Sequence, residues 1–220
     1  MTKTKAQVLR RIHDIGLLPV LRARSAAEAI LLAEAIEAGG VPVLEVTMTV
    51  PGAIDVIRRI VEHSDNRILV GAGTVLDPET ARACMLAGAQ FIVSPSLNLK
   101  TVEICRRYNI AVFPGALTPT EIVTAWEAGA DAVKVFPCSA VGGPKYLKAV
   151  KAPLPQIDLI PTGGVSLATA AEFLAAGAFA LGVGGDLCDS EAIARGDTAS
   201  ITGTAAKYIE IVRAARAPQS

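Results

Sequence analysis

Short apolar runs rich in β-branched residues alternate along this chain with stretches of helical periodicity. The runs cover 18–22, 43–48, 68–73, 91–94, 110–114, 132–136, 158–162 and 180–184. Each is punctuated by Gly, Pro or Ser. Apolar positions then recur every three or four residues, as in Ala26–Ala38, 54–62 and 167–176. Ser25, with Glu28 three residues on, reads as a capping box. Gly39-Gly40, Gly88, Gly129 and Gly177 stand where helices end, because glycine accepts the left-handed backbone found there. Residues 3–15, within an N-terminal segment 1–16, read as an extra helix under a barrel floor, and 199–216 as the last helix.

Runs that are apolar on both faces imply a parallel sheet covered on both sides. Eight β/α units in 220 residues fit an α/β fold, the (β/α)8 TIM barrel with an added N-terminal helix. A doubly wound open sheet is the competing arrangement, but no Gly-x-Gly-x-x-Gly follows the first strand. Without a linker or low-complexity tract, 1–220 reads as one domain.

Composition narrows the function. The chain is 51% apolar with mean hydropathy +0.45, which excludes a disordered, solvating role. Twenty-one basic and 21 acidic residues cancel, so no overall positive field recruits nucleic acid. The apolar stretch 173–185 is broken by glycines and too short for a membrane span of about 20 residues. The N-terminus lacks the apolar core of a signal peptide. Four scattered cysteines without a Cys-x-x-Cys pair suggest reduced thiols in a cytoplasmic protein rather than disulfides. With two histidines, a metal centre is not expected.

Charge inside the strands is informative, because a barrel interior is otherwise aliphatic and its chemistry sits at the C-terminal strand ends. Of eight lysines only Lys134 lies within an apolar run, and of 21 acids only Glu45 sits mid-strand. They belong to the second and sixth runs, opposite each other in an eight-stranded closure and of the same parity. One reading is a structural ion pair, or a lysine snorkelling outward between helices. The other is a nucleophilic amine, its ammonium form disfavoured by burial, with a carboxylate as proton shuttle. Thr162-Gly163-Gly164 and Gly184-Gly185 end the last two runs, where such barrels bind phosphate through backbone N–H groups. Thr74 ends the third run and either orients substrate or caps the next helix. Arg22 ends the first run, either gripping a carboxylate or lying on the surface.

Val43-Leu-Glu-Val-Thr-Met-Thr-Val-Pro51, Val70-Gly-Ala-Gly-Thr-Val75, Ile92-Val-Ser-Pro95, Phe113-Pro-Gly115, Val133-Lys-Val-Phe-Pro137 and Ile160-Pro-Thr-Gly-Gly-Val165 resemble, in order, the motifs of the 2-keto-3-deoxy-6-phosphogluconate aldolase family. The resemblance implies a cofactor-free class I aldolase on a (β/α)8 barrel, usually a homotrimer. It cleaves the phosphorylated acid to pyruvate and glyceraldehyde 3-phosphate in the Entner–Doudoroff pathway. It implies a Schiff base at Lys134 and Glu45 as general acid/base. Substrate contacts fall to Arg22, Thr74, Pro95, Phe136 and Thr162, and phosphate contacts to Gly163, Gly164, Gly184 and Gly185. Two positions depart from the pattern. Thr49 stands where some members have a carboxylate-binding arginine, which shifts that role to Arg22. Gly185 stands where many have Ser, which removes a hydroxyl donor to phosphate. The galactonate epimer, the unphosphorylated acid and 4-hydroxy-2-oxoglutarate remain alternative substrates. A non-covalent isomerase or epimerase and a non-catalytic scaffold are the other classes.

Overall fold

In the computed structural model, which describes residues 3–65 and 67–217, the strands are parallel and curl into a ring. They are β1 Leu17–Leu21, β2 Val43–Thr47, β3 Leu69–Gly73, β4 Phe91–Val93, β5 Ala111–Phe113, β6 Gly115–Ala116, β7 Val133–Val135, β8 Leu159–Pro161 and β9 Leu181–Val183. One run pairs in the order β5-β4-β3-β2-β1-β9 and the other as β6-β7-β8. Pro114 splits the fifth stave into β5 and β6, since proline has no N–H for the ladder. Its carbonyl still accepts the Lys134 N–H at 2.9 Å. A bridge between Thr162 and Gly182, with Phe179 N–H donating to Leu159 O at 2.9 Å, joins the other seam. The sheet is closed, which excludes the open doubly wound arrangement.

Around it lie α1 Lys5–Ile15, α2 Ala26–Ala38, α3 Ala53–His63, α4 Pro78–Leu86, α5 Leu99–Arg107, α6 Pro119–Glu127, α7 Pro144–Lys151, α8 Ala170–Ala175, α9 Ser190–Ala194 and α10 Thr198–Arg216. None is long and apolar enough to cross a membrane. Every residue of β1 through β9 is buried, as expected for strands with helices outside and a filled interior. Val8 and Ile12 of α1 join Leu18, Val43, Leu69, Phe91, Phe113, Ala132, Ile160 and Ala180 in one cluster that fills the lower barrel. The N-terminal helix is therefore the floor. It is fixed by a Thr4–Gln7 capping box and a Lys5–Asp131 ion pair at 2.6 Å.

Several expectations need correction. Ser25 accepts the Glu28 N–H, but the Glu28 carboxylate reaches back to the Arg24 N–H at 2.7 Å, leaving half a capping box. The helix expected over 167–176 begins at Ala170, because Ser166 and Thr169 form a side-chain-bonded turn first. The strand runs end one residue early, where the chain turns into the loops at the mouth, except the third, which ends at Gly73 as expected, and the fifth, which resumes as β6. The short α9 and a 3-10 turn at Cys138–Val141 carry too little periodicity to be read. Of the expected 1–16 segment, residues 1 and 2 lie outside the described residues.

Candidate active site

Side chains in a strand alternate between its faces, so floor residues fix which positions point inward above them. On β2, Val43 belongs to the floor cluster and Glu45 is the next inward residue. On β7 the corresponding step is from Ala132 to Lys134. The two side chains meet inside the barrel, where Lys134 Nζ donates to Glu45 Oε1 at 3.3 Å. Glu45 is fully buried and Lys134 is 6% exposed. An outward, snorkelling lysine is excluded. Burial pushes the Glu45 carboxyl above its ordinary range, opposed by the charge and hydrogen bond of Lys134 and then by the charge of Arg22. Its second oxygen, Oε2, is buried without a partner among the described residues, an expensive state for a carboxylate.

Room for that carboxylate comes from β3. A Cβ on Gly73 would stand 2.7 Å from Glu45 Oε1 and 2.9 Å from Cδ, so only a glycine admits the acid in this pose. Gly71, one inward step lower, gives its space to the Phe91 ring in the same way. Both glycines stand in the Val70-Gly-Ala-Gly-Thr-Val75 motif, but the sequence assigns neither a role, because the reason for each lies on the neighbouring strand.

Thr74 follows Gly73 with φ +59°, a left-handed conformation that is strained for a β-branched residue, by roughly 1–3 kcal/mol. It does not cap α4, since Asp77 does that by accepting the Thr80 N–H at 2.6 Å. The capping alternative falls, and a half-buried hydroxyl is held beside Glu45's supporting strand. Arg22 is exposed just beyond β1, with no ion pair among the described residues, and its charge acts on Glu45 and on Cys188. The buried Cys188 thiol is pushed up to about 12, by burial first and then by the Glu45 charge. Cys138, beyond β7, is also buried, and its thiol is raised to about 11. All four cysteines are free.

The half-buried Phe136 ring centre lies 5.6 Å from Lys134 Nζ. With Pro95, Ser96, Leu97, Gly115 and Leu117, Phe136 lines a cavity of ≈ 340 Å³ at the C-terminal strand ends. Thr162 is buried, and its carbonyl and that of Gly163 accept the N–H groups of Cys138 at 2.9 Å and Ser139 at 3.2 Å. Gly163 and Gly164 take φ of +90° and +77°, which explains the pair. Gly184 and Gly185 are not left-handed, and a Cβ on either meets no atom within 4 Å. These turns border open space. Among the described residues no three His, Cys, Asp or Glu side chains gather as a ligand set.

The geometry thus joins a buried amine to a buried carboxyl group inside a closed barrel. Comparison with known proteins identifies the family. The family model described as KDPG and KHG aldolase matches residues 8–204. The KHG/KDPG aldolase of Escherichia coli K12 is 37% identical over 209 residues, covering 94% of this chain and 96% of that protein. The 2-dehydro-3-deoxy-6-phosphogalactonate aldolase of the same organism is 38% identical over 174 residues, 79% of this chain and 84% of that one. The crystal structure of KDPG aldolase from Legionella pneumophila, with pyruvate captured as a covalent carbinolamine intermediate, superposes with a TM-score of 0.83. It is 28% identical and covers 94% of this chain and 98% of that one. The chain belongs to the KDPG and KHG aldolase family.

Proposed function

We propose that this aldolase cleaves 2-keto-3-deoxy-6-phosphogluconate, or an acid sharing its pyruvate half, through a Schiff base on Lys134. The observation that carries this reading is the contact inside the barrel between the Lys134 amine and the Glu45 carboxylate. The amine attacks the C2 ketone and forms a carbinolamine. Loss of water gives an iminium, which draws in the C3–C4 bonding electrons. Glu45 takes the C4 hydroxyl proton as the aldehyde leaves. The resulting enamine is protonated at C3, and hydrolysis releases pyruvate and restores the amine. The unpartnered Oε2 supplies an acceptor for the substrate hydroxyl or a relaying water. Arg22 binds the substrate carboxylate, Thr74 and Thr162 contact the keto acid, and Pro95 and Phe136 wall the pocket. Gly163, Gly164, Gly184 and Gly185 surround the distal end.

Borohydride reduction in the presence of pyruvate is expected to add about 72 Da to the peptide carrying Lys134. Label on another lysine, or none, overturns the assignment and favours the non-covalent isomerase class.

Gly73→Ala tests the pose of Glu45. A misplacement of about 1 Å costs on the order of 10²-fold in rate, so kcat is expected to fall about 100-fold with KM little changed. The acidic limb of the pH–rate profile moves as well. An unchanged kcat and profile in a folded variant mean that the pose of Glu45 does not matter to the chemistry.

A further inference from the structure

A second cleft lies at the opposite end of the barrel from its mouth. It has a volume of ≈ 110 Å³ and opens beside the floor helix, between α1, the turn from α4 into β4 and the turn from α5 into β5. Its apolar wall includes Met85 and Val8, the latter a member of the floor cluster. Its polar groups are Lys3, Lys5, Gln90 and Asn109, and none of the described lining residues is acidic. Gln90 is 8% exposed, and its side-chain Oε1 is buried with no hydrogen-bond partner among the described residues. Such an orphaned oxygen costs about 1–3 kcal/mol. The sheet does not ask for it, since the backbone N–H of Gln90 makes the bond to Val70 O at 2.8 Å whatever the side chain. An apolar residue of similar size would avoid the cost.

The other wall of the cleft is cationic. Lys5 donates to Asp131 at 2.6 Å, and Asp131 also accepts the Val112 N–H at 2.9 Å, which leaves the ammonium with further N–H groups to give. Lys3 is half-buried. Burial first, and then the like charge of Arg11, holds its amine below the ordinary range. Lys3, Lys5 and Arg11 together outnumber the single carboxylate of Asp131.

We infer that this cleft is a second ligand site, separate from the aldolase centre, for a small 2-hydroxycarboxylate. Ammonium groups only donate, so the ligand atoms beside Lys3 and Lys5 must accept and carry negative charge. The unpartnered Oε1 of Gln90 only accepts, so another ligand atom must donate to it. A carboxylate with an adjacent hydroxyl does both, and its carbon end rests on Val8 and Met85. The cleft holds on the order of four liquid waters by volume, which suits a three-carbon acid.

Calorimetric titration with L-lactate, and with propionate as the same skeleton without the hydroxyl, tests the site. Lys134→Met, which lacks the amine of the aldolase centre, is titrated beside the wild type. Lactate is expected to bind both alike with a Kd of about 1 mM or tighter, and about tenfold or more better than propionate. Gln90→Leu is expected to erase that preference, and Lys3→Gln to weaken both acids. No saturable lactate binding means that water alone fills the cleft, and it overturns the inference. So does binding that disappears in Lys134→Met, which places lactate at the aldolase centre, or a preference unmoved by Gln90→Leu. If Gln90→Leu does not fold, the side-chain amide resonances of Gln90 in the wild type decide the matter. They are expected to shift and saturate with lactate, and resonances that do not move are the overturning result.

Discussion

Lys134→Met is expected to abolish turnover, lowering kcat/KM by about 10⁴-fold or more, because among the described residues no other amine pairs with Glu45 to form the covalent intermediate. Methionine keeps the length of the aliphatic stem, so packing is nearly preserved while the charge is lost. The same variant carries a stability signature. In the wild type, burial raises the Glu45 carboxyl and Lys134 opposes that rise. Removing the lysine leaves Arg22 as the remaining opposing charge, so the folded-state value climbs further. A carboxyl raised on folding binds more protons in the native state than in the unfolded one. The contribution of this group to stability is therefore fully present below the ordinary carboxylate range of about 4.3 and is lost as pH rises through the folded-state value. The Tm of Lys134→Met is expected to drop with rising pH above that range, more steeply than in the wild type. Adding Glu45→Gln should flatten the slope. Wild-type turnover by Lys134→Met, or a slope that survives the double substitution, contradicts the arrangement.

How much of this was legible without coordinates follows from what each feature depends on. Lys134 and Glu45 stand out because a charge inside an apolar run breaks a local rule, and equal parity on opposite staves brings them together. The stave count and the floor helix follow from periodicity, which is also local. Gly73 and Cys188 receive no role from the sequence because each matters through a partner far along the chain: Gly73 through Glu45, Cys188 through Glu45 and Arg22. Element ends suffer for a related reason. Glu28 bonds to the Arg24 N–H instead of closing the box on Ser25, and Pro114 divides a stave that reads as continuous. The glycine pairs illustrate a further limit. Gly163-Gly164 is required by backbone conformation, whereas Gly184-Gly185 is required by nothing around it, and the sequence writes both alike.

Glu45→Gln separates the two halves of the pair's work. Glutamine fits the space beside Gly73 and leaves an oxygen facing Lys134, so the fold and the pyruvate pocket are retained. What disappears is a group able to take a proton and return it. General acid–base assistance contributes about 10²–10⁴-fold, and a fall of that size is expected in kcat, with KM changing only a few-fold. The partial reaction that sees Glu45 without any distal group is exchange of pyruvate methyl hydrogens with deuterated solvent. Exchange requires the iminium to lose a C3 proton and the enamine to regain one. It is expected to slow in parallel with kcat, while borohydride still traps pyruvate on Lys134, though more slowly. If cleavage falls and exchange does not, Glu45 acts at the C4 hydroxyl alone and another group protonates the enamine. If neither falls, the carboxylate only balances the buried amine, and proton transfer belongs to water admitted at the barrel mouth.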